Sequence, residues 1–133
     1  NYDVIIFDRY TTSNMLHQAG KIQDHSEMNR FLKWLDNLEF KDLELPRPDK
    51  VFFLDMPVEV SKNLAQKRGE LKTGEAKDIH EQDKEHLINA YRAGKYVAKK
   101  FNWEVISCLD NDGNLKTPKQ INDEIMERLP KKL

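Results

Sequence analysis

Two stretches, Val4-Ile5-Ile6-Phe7 and Val51-Phe52-Phe53-Leu54, are uninterrupted apolar runs, and each ends in aspartate, Asp8 and Asp55. A strand with one face in water alternates apolar and polar residues, whereas an unbroken run suits a strand covered on both faces. Strands of that kind sit in a parallel sheet flanked by helices, so these two runs constrain the fold more than any other feature. A weaker third run, Trp103 to Cys108, supplies another strand.

The segments between the runs carry helical spacing. Ser26 is placed to cap a helix bearing Met28, Phe31, Leu32 and Leu35 at i, i+3, i+4 and i+7. Pro46 and Pro48 end that region, because proline biases its predecessor away from the α conformation. Pro57 opens a helix running to about Arg68, with Val60 and Leu64 on one face. The polar stretch Gly69 to Lys77 has no periodicity and reads as a mobile loop. A long helix follows from about Asp78 to Phe101, with Leu87, Tyr91, Gly94, Ala98 and Phe101 along one stripe. Asn111-Asp112-Gly113-Asn114 is a turn, and Thr117-Pro118-Lys119-Gln120 a capping box that starts a last helix with Ile121, Ile125 and Leu129. The order strand, helix, helix, strand, helix, loop, helix, strand, helix predicts an α/β layered fold with right-handed crossovers.

With 133 residues the chain fits one domain. Its 22 lysines and arginines nearly balance 23 acids, leaving a net charge of −1 and no global field to draw nucleic acid or a membrane surface. No apolar run approaches the roughly 20 residues that cross a bilayer. The lone Cys108 excludes an internal disulfide and fits a reducing, cytoplasmic setting. The chain opens directly into a strand pattern, without a signal peptide and without Met, which reads as the back part of a longer protein.

Ligands of open parallel sheets bind at the carboxyl ends of the strands. Only the first run continues into a functional cluster there, Asp8-Arg9-Tyr10-Thr11-Thr12-Ser13-Asn14. A carboxylate so placed can hold Mg²⁺, usually through water, and an adjacent arginine can clamp phosphate with its planar fork. Positions 10, 14, 17 and 18 (or 10, 13, 14 and 17) share one helical face, which offers an aromatic ring, amides and the His17 imidazole to a base. The plainer reading makes Asp8 a helix N-cap and Arg9 a surface ion-pair partner. Asp55, followed by Met56-Pro57, carries the plain reading more strongly.

Asp8-Arg9-Tyr10 after an apolar strand, with Ser13, Asn14 and Gln18 following, resembles the Asp-Arg-Tyr/His segment of thymidylate kinases. Leu45-Pro46-Arg47-Pro48-Asp49 and the run ending in Asp55 are similar to the same family's Pro-Asp-strand-Asp stretch, and residues 68–83 fall where it carries its lid. The resemblance covers nearly the whole chain, in order. It implies a three-layer P-loop nucleoside monophosphate kinase fold, here the C-terminal part of one domain, lacking its first strands. It implies transfer of the ATP γ-phosphoryl to dTMP, with Mg²⁺ as cofactor and a homodimer as assembly. Carried over, Arg9 touches the monophosphate, and Asp8 organises the Mg²⁺–phosphate region. Ser13, Asn14 and Gln18 then surround the base, Tyr10 shapes the pocket, and His17 stands where the family often has tyrosine.

The chain departs from the family pattern in two ways. The lid offers only Arg68 at its entry, with Lys72 and Lys77 inside, where some members place an activating arginine. No Gly-x-x-x-x-Gly-Lys-Ser/Thr occurs, so nothing here cradles ATP phosphates. The resemblance puts that loop on a strand between the runs at 4–7 and 51–54, and the chain alone is expected to be inactive. Another P-loop monophosphate kinase, or a non-enzymatic nucleotide-binding or dimerisation module, is the alternative. Among smaller signals, His80 and His86 lie nearly opposite on a helix and read as solvated, and Cys108 as an inert thiol. Phe31, Trp34 and Leu35 read as core or a dimer face, and residues 111–114 as a plain turn or, by resemblance, an adenine-side loop.

Overall fold

Helical spacing, one capping box and two short apolar strands build most of the molecule. The computed structural model describes residues 4–73 and 81–130. In order they form α1 (Thr12–Ala19), α2 (His25–Asn37), a π-helical turn (Leu38–Asp42), β1 (Phe52–Asp55), α3 (Val58–Thr73), α4 (Glu81–Lys100), β2 (Glu104–Ser107) and α5 (Pro118–Glu127). β1 and β2 pair in parallel, Phe52 opposite Glu104 through Asp55 opposite Ser107. None of the helices described is long and apolar enough to cross a membrane.

The core lies among three helices. Met15 and Ala19 of α1, Met28, Leu32 and Leu35 of α2, and Ala93 and Val97 of α4 form one buried cluster. Phe31 packs against it while Trp34, 5.9 Å away ring to ring, stays 57 % exposed. Helix α4 is held between α1 and the sheet by two glycines. A Cβ on Gly94 would stand 2.8 Å from the Phe53 ring and 3.1 Å from Leu16 Cδ2. One on Gly20, just past α1, would meet the Asn89 and Ala90 backbone at 3.1 Å. The Tyr96 hydroxyl donates to Asn29 Oδ1 at 2.6 Å and ties α4 to α2. Arg47 makes a bidentate pair with Asp36 at 2.8 and 2.9 Å and lies 4.2 Å over the Phe40 ring, fastening the loop before β1 onto α2.

Several expectations hold. The capping box forms as spaced: Thr117 accepts from the Gln120 N–H at 3.2 Å, and the Gln120 side chain accepts from the Thr117 N–H at 2.8 Å. The turn at 110–114 closes on Gly113 at φ 82°, with Asp110 Oδ1 accepting from two backbone N–H groups.

Others are corrected. Val4 to Phe7 form no strand, and Ile5, Ile6 and Phe7 are 64 to 75 % exposed. A strand exists only where a neighbour takes its hydrogen bonds, and among the described residues none lies beside this run. For the same reason Leu54 is 47 % exposed rather than covered on both faces. Asp24, not Ser26, caps α2, its carboxylate accepting from the Glu27 N–H at 2.7 Å. Helix α3 runs through Gly69 to Thr73, where a loop was expected, because one glycine costs a helix only about 1 kcal/mol. The rest of that loop, the start expected for the next helix at Asp78, and His80 lie outside the described residues.

Replacing Gly94 with leucine should lower the free energy of unfolding by roughly 1–3 kcal/mol, because the new side chain must displace Phe53 and Leu16. A urea midpoint unchanged by this substitution would contradict the packing described.

Candidate functional site

The chain turns sharply between the exposed apolar run and α1. Arg9 sits at φ 66°, in the left-handed region that a β-carbon makes costly by roughly 1–2 kcal/mol. Such strain persists where surrounding contacts over-determine the backbone, and it gathers at functional positions. Here the contacts come from Tyr10. Its ring lies 5.0 Å from that of Phe7 and its hydroxyl donates to the Pro46 carbonyl at 2.9 Å, fixing the segment to the loop before β1. The carbonyls of Tyr10 and Thr11 then accept from the Ser13 and Asn14 N–H groups, both at 2.9 Å, and α1 begins.

Helix α1 buries Met15 and Ala19, and its polar residues face different neighbours rather than one shared surface. Asn14 Nδ2 donates to Glu39 Oε1 of the π turn at 3.5 Å, a long bond. His17 stacks on His86 of α4, ring centres 5.8 Å apart and planes 13° from parallel. The Gln18 oxygen accepts from Lys21 Nζ at 3.1 Å. Ser13 is half-buried, and Asp8 and Arg9 are exposed. Arg68 is exposed within α3, not at a loop entry. Thus Asp8, Arg9 and Tyr10 are brought together, while the amide and imidazole groups expected to surround a base are each engaged by protein.

Charges around α1 are biased. Burial pushes the His17 pKa down, helped by the positive fields of His86, Arg9 and Lys21. The Arg9 contribution places its cation in the electrostatic neighbourhood of the imidazole. Glu39 lies 4 % exposed, and burial raises its carboxyl pKa, with Asp36 adding to the rise. Thr11 stands close enough to oppose that rise, yet Thr11 Oγ1 and Glu39 Oε2 are both buried without a hydrogen-bond partner.

Asp55, at the end of β1, takes its partners from α4. The Tyr91 hydroxyl donates to Oδ1 at 2.6 Å and Lys95 Nζ lies 3.5 Å from Oδ2. Burial and this carboxylate raise the Tyr91 pKa. Asp55 is therefore a strut between sheet and helix, in keeping with its plain reading. Cys108 is 1 % exposed, and burial followed by the Asp55 charge pushes its thiol pKa up, as an inert thiol requires. His86, read as solvated, is exposed but shares the stack with His17.

Among the described residues no three Asp, Glu, His or Cys side chains gather as a metal cage. The exposed Asp8 fits the other mode of Mg²⁺ binding, in which one carboxylate is joined by substrate phosphate oxygens and water. Sequence reasoning missed Glu39. Its signal was present, because Met28, Leu32, Leu35 and Glu39 continue one i, i+4, i+7, i+11 stripe, an acid on an apolar face.

With this geometry in view, comparison with known proteins adds the lineage. A family model described as thymidylate kinase matches residues 1–107, and the chain belongs to the thymidylate kinase family. Similar proteins are the thymidylate kinases of Mycobacterium tuberculosis strains CDC 1551 / Oshkosh and ATCC 25618 / H37Rv. Each is 32 % identical over 84 residues, which cover 63 % of this chain and 39 % of the relative. The match thus spans well under half the length of those relatives. No solved structure matches significantly.

The His17 environment makes stability depend on pH in one direction. Its folded-state pKa lies below the ordinary 6.5, so the unfolded chain takes up the proton first. The stability involved is whole above that value and is lost as pH falls from 6.5 through the folded pKa. His17→Gln should flatten the drop in urea midpoint between about pH 7.5 and about pH 5.5. An equally steep drop in the variant would refute the assignment.

Proposed function

We propose that the protein containing this chain transfers the γ-phosphoryl group of ATP to dTMP, giving dTDP and ADP, and that this chain supplies the monophosphate-binding half of the site. Family membership supports the kinase class. The observation that carries the role of this segment is Arg9, held in a strained left-handed conformation directly after Asp8. A surface ion-pair partner has no need of that backbone, and nothing in the local sequence relieves it with glycine.

In this reading Arg9 presents its planar fork to the dTMP phosphate, lowering the repulsion between two anionic reactants and aligning the attacking oxygen. That oxygen forms a bond to the γ-phosphorus as the bond to the β–γ bridging oxygen breaks, and ADP leaves with the electron pair. The loose transition state leaves the protein chiefly positioning and charge neutralisation to perform. Asp8 is the side chain that would hold Mg²⁺ beside the phosphates; when bound, the ion neutralises charge developing on the phosphoryl oxygens. Tyr10 keeps the Arg9 turn in place through Pro46, and Ser13, Asn14, His17 and Gln18 line the approach from α1 to the base. Some of their present partners, such as Lys21 on Gln18, are solvent-exposed and exchange readily for a ligand.

The same reading makes 1–133 part of a P-loop domain, with its lid at 68–83. Arg68 is then a candidate for charge stabilisation from α3. It also assigns a homodimer contact to the outer face of α2, where Trp34 stands exposed beside Phe31.

The test is dTDP formation from ATP·Mg²⁺ and dTMP by the full-length protein, with and without Arg9→Ala. Turnover should fall by about 10² or more, while the melting temperature holds, because alanine keeps the β-carbon and with it the left-handed cost. Near-normal turnover in the variant would overturn the role of Arg9, and a full-length protein that leaves dTMP unphosphorylated would overturn the reading.

A further inference from the structure

Among the described residues Glu39 is the one charged side chain that is buried, and it occupies a position its helix reserves for apolar residues. The π turn contributes to this. The Leu43 N–H reaches back five residues to the Leu38 carbonyl at 2.9 Å, and the Leu45 N–H bonds the Glu39 carbonyl at 3.0 Å, so Glu39 is gripped by its own backbone. Single π turns of this kind recur at functional sites. A buried carboxylate costs several kcal/mol unless well paired, and this one is poorly paired, with a 3.5 Å bond to Asn14 and one oxygen without a partner. A buried, poorly paired carboxylate on an otherwise apolar face calls for another role.

Its chemistry supplies one. An ionised carboxylate only accepts hydrogen bonds, so the Asn14 amide must turn its NH₂ group toward Glu39. The amide oxygen then points away from the buried acid, and Asn14 itself is exposed. The atom offered to a ligand is therefore an acceptor. Pyrimidine bases differ in what they present to it: thymine and uracil carry a proton on N3, whereas cytosine has a bare acceptor there.

Resting on the monophosphate kinase reading, we propose that Glu39 is a positioning residue: it holds the Asn14 side chain with its carbonyl oxygen outward, so that the site accepts a pyrimidine bearing N3–H and rejects one whose N3 is an acceptor. Thr11 Oγ1, also buried and unpartnered, acts on the same carboxylate. The groups bearing on Glu39 are Asn14 from α1, Thr11 just before it and Asp36 from α2. Glutamine in its place has both a donor and an acceptor, and it leaves the Asn14 amide free to turn over.

The experiment measures dTMP and dCMP binding by calorimetry on the full-length protein, as wild type, Glu39→Gln, Asn14→Ala and the double variant. Glu39→Gln should fold with an unchanged or higher melting temperature at neutral pH, since it removes a buried charge. Its preference for dTMP over dCMP should fall about tenfold or more, the effect of a misdirected hydrogen bond. In the Asn14→Ala background the same substitution should have no further effect on preference. An unchanged preference in Glu39→Gln, or an equal loss with Asn14 absent, overturns the proposal.

Nitrogen-15 NMR of the wild type keeps the two readings apart and also serves if the variant fails to fold. The Asn14 side-chain amide signals should titrate with a midpoint above the 4.5 of a free glutamate; signals that do not move overturn the coupling. Wild-type protein binding neither nucleotide would overturn the monophosphate reading, and the coupling would then stand or fall on this titration.

Discussion

The close approach of α4 to its neighbours is the constraint on which the rest depends. Gly94 lets the Phe53 ring and Leu16 press against the helix from the sheet side and from α1, and Gly20 lets the end of α1 come down onto the α4 backbone. Without a β-carbon at either point the two elements meet near van der Waals contact, which is where dispersion is largest. Everything of functional interest hangs from this contact. Helix α1 begins three residues after Arg9 and carries Asn14 and His17, so the depth at which α1 docks sets where those groups lie. The sheet itself is small, and Tyr91 and Lys95 of α4 hold its end through Asp55.

Around that rigid contact the molecule tolerates features that cost stability. Arg9 has a left-handed backbone, Glu39 is a buried acid with an orphan oxygen, and His17 sits where its charged form is disfavoured. Arg9 lies just before α1, His17 on it and Glu39 against it. Left-handed backbone also occurs at Glu44 and Asn102, but only around α1 does it coincide with a buried, poorly paired acid and an imidazole whose charged form is disfavoured. The α5 capping box and the Gly113 turn, by contrast, pair the groups they use through ordinary hydrogen bonds.

Much of this was legible beforehand because the signals were local. The Thr117 capping box involves residues three apart, and the α2 stripe of Met28, Leu32 and Leu35 reads straight from period 3.6. The strands at 52–55 and 104–107 were legible from β-branched and aromatic runs. The Asp8-Arg9-Tyr10 cluster was legible as a site candidate because an acid, a guanidinium and an aromatic ring follow one apolar run in immediate succession. The cap of α2 was misplaced at Ser26: the Asp24 carboxylate reaches the Glu27 N–H instead.

By itself, then, the sequence determined most of the helices, two of the strands, the α5 capping box and the chemical character of the segment after Phe7, because each depends on neighbours within a few residues. Tertiary structure alone decided that Val4 to Phe7 form no strand, that Asp55 is a strut, that His17 meets His86, and that Glu39 is buried against Asn14. Those contacts join surfaces 25 to 69 positions apart in the chain, and no local pattern encodes the partner. An apolar run states that it can be buried. Whether it is buried, and what a polar group beside it must then do, is settled only by the elements that pack against it.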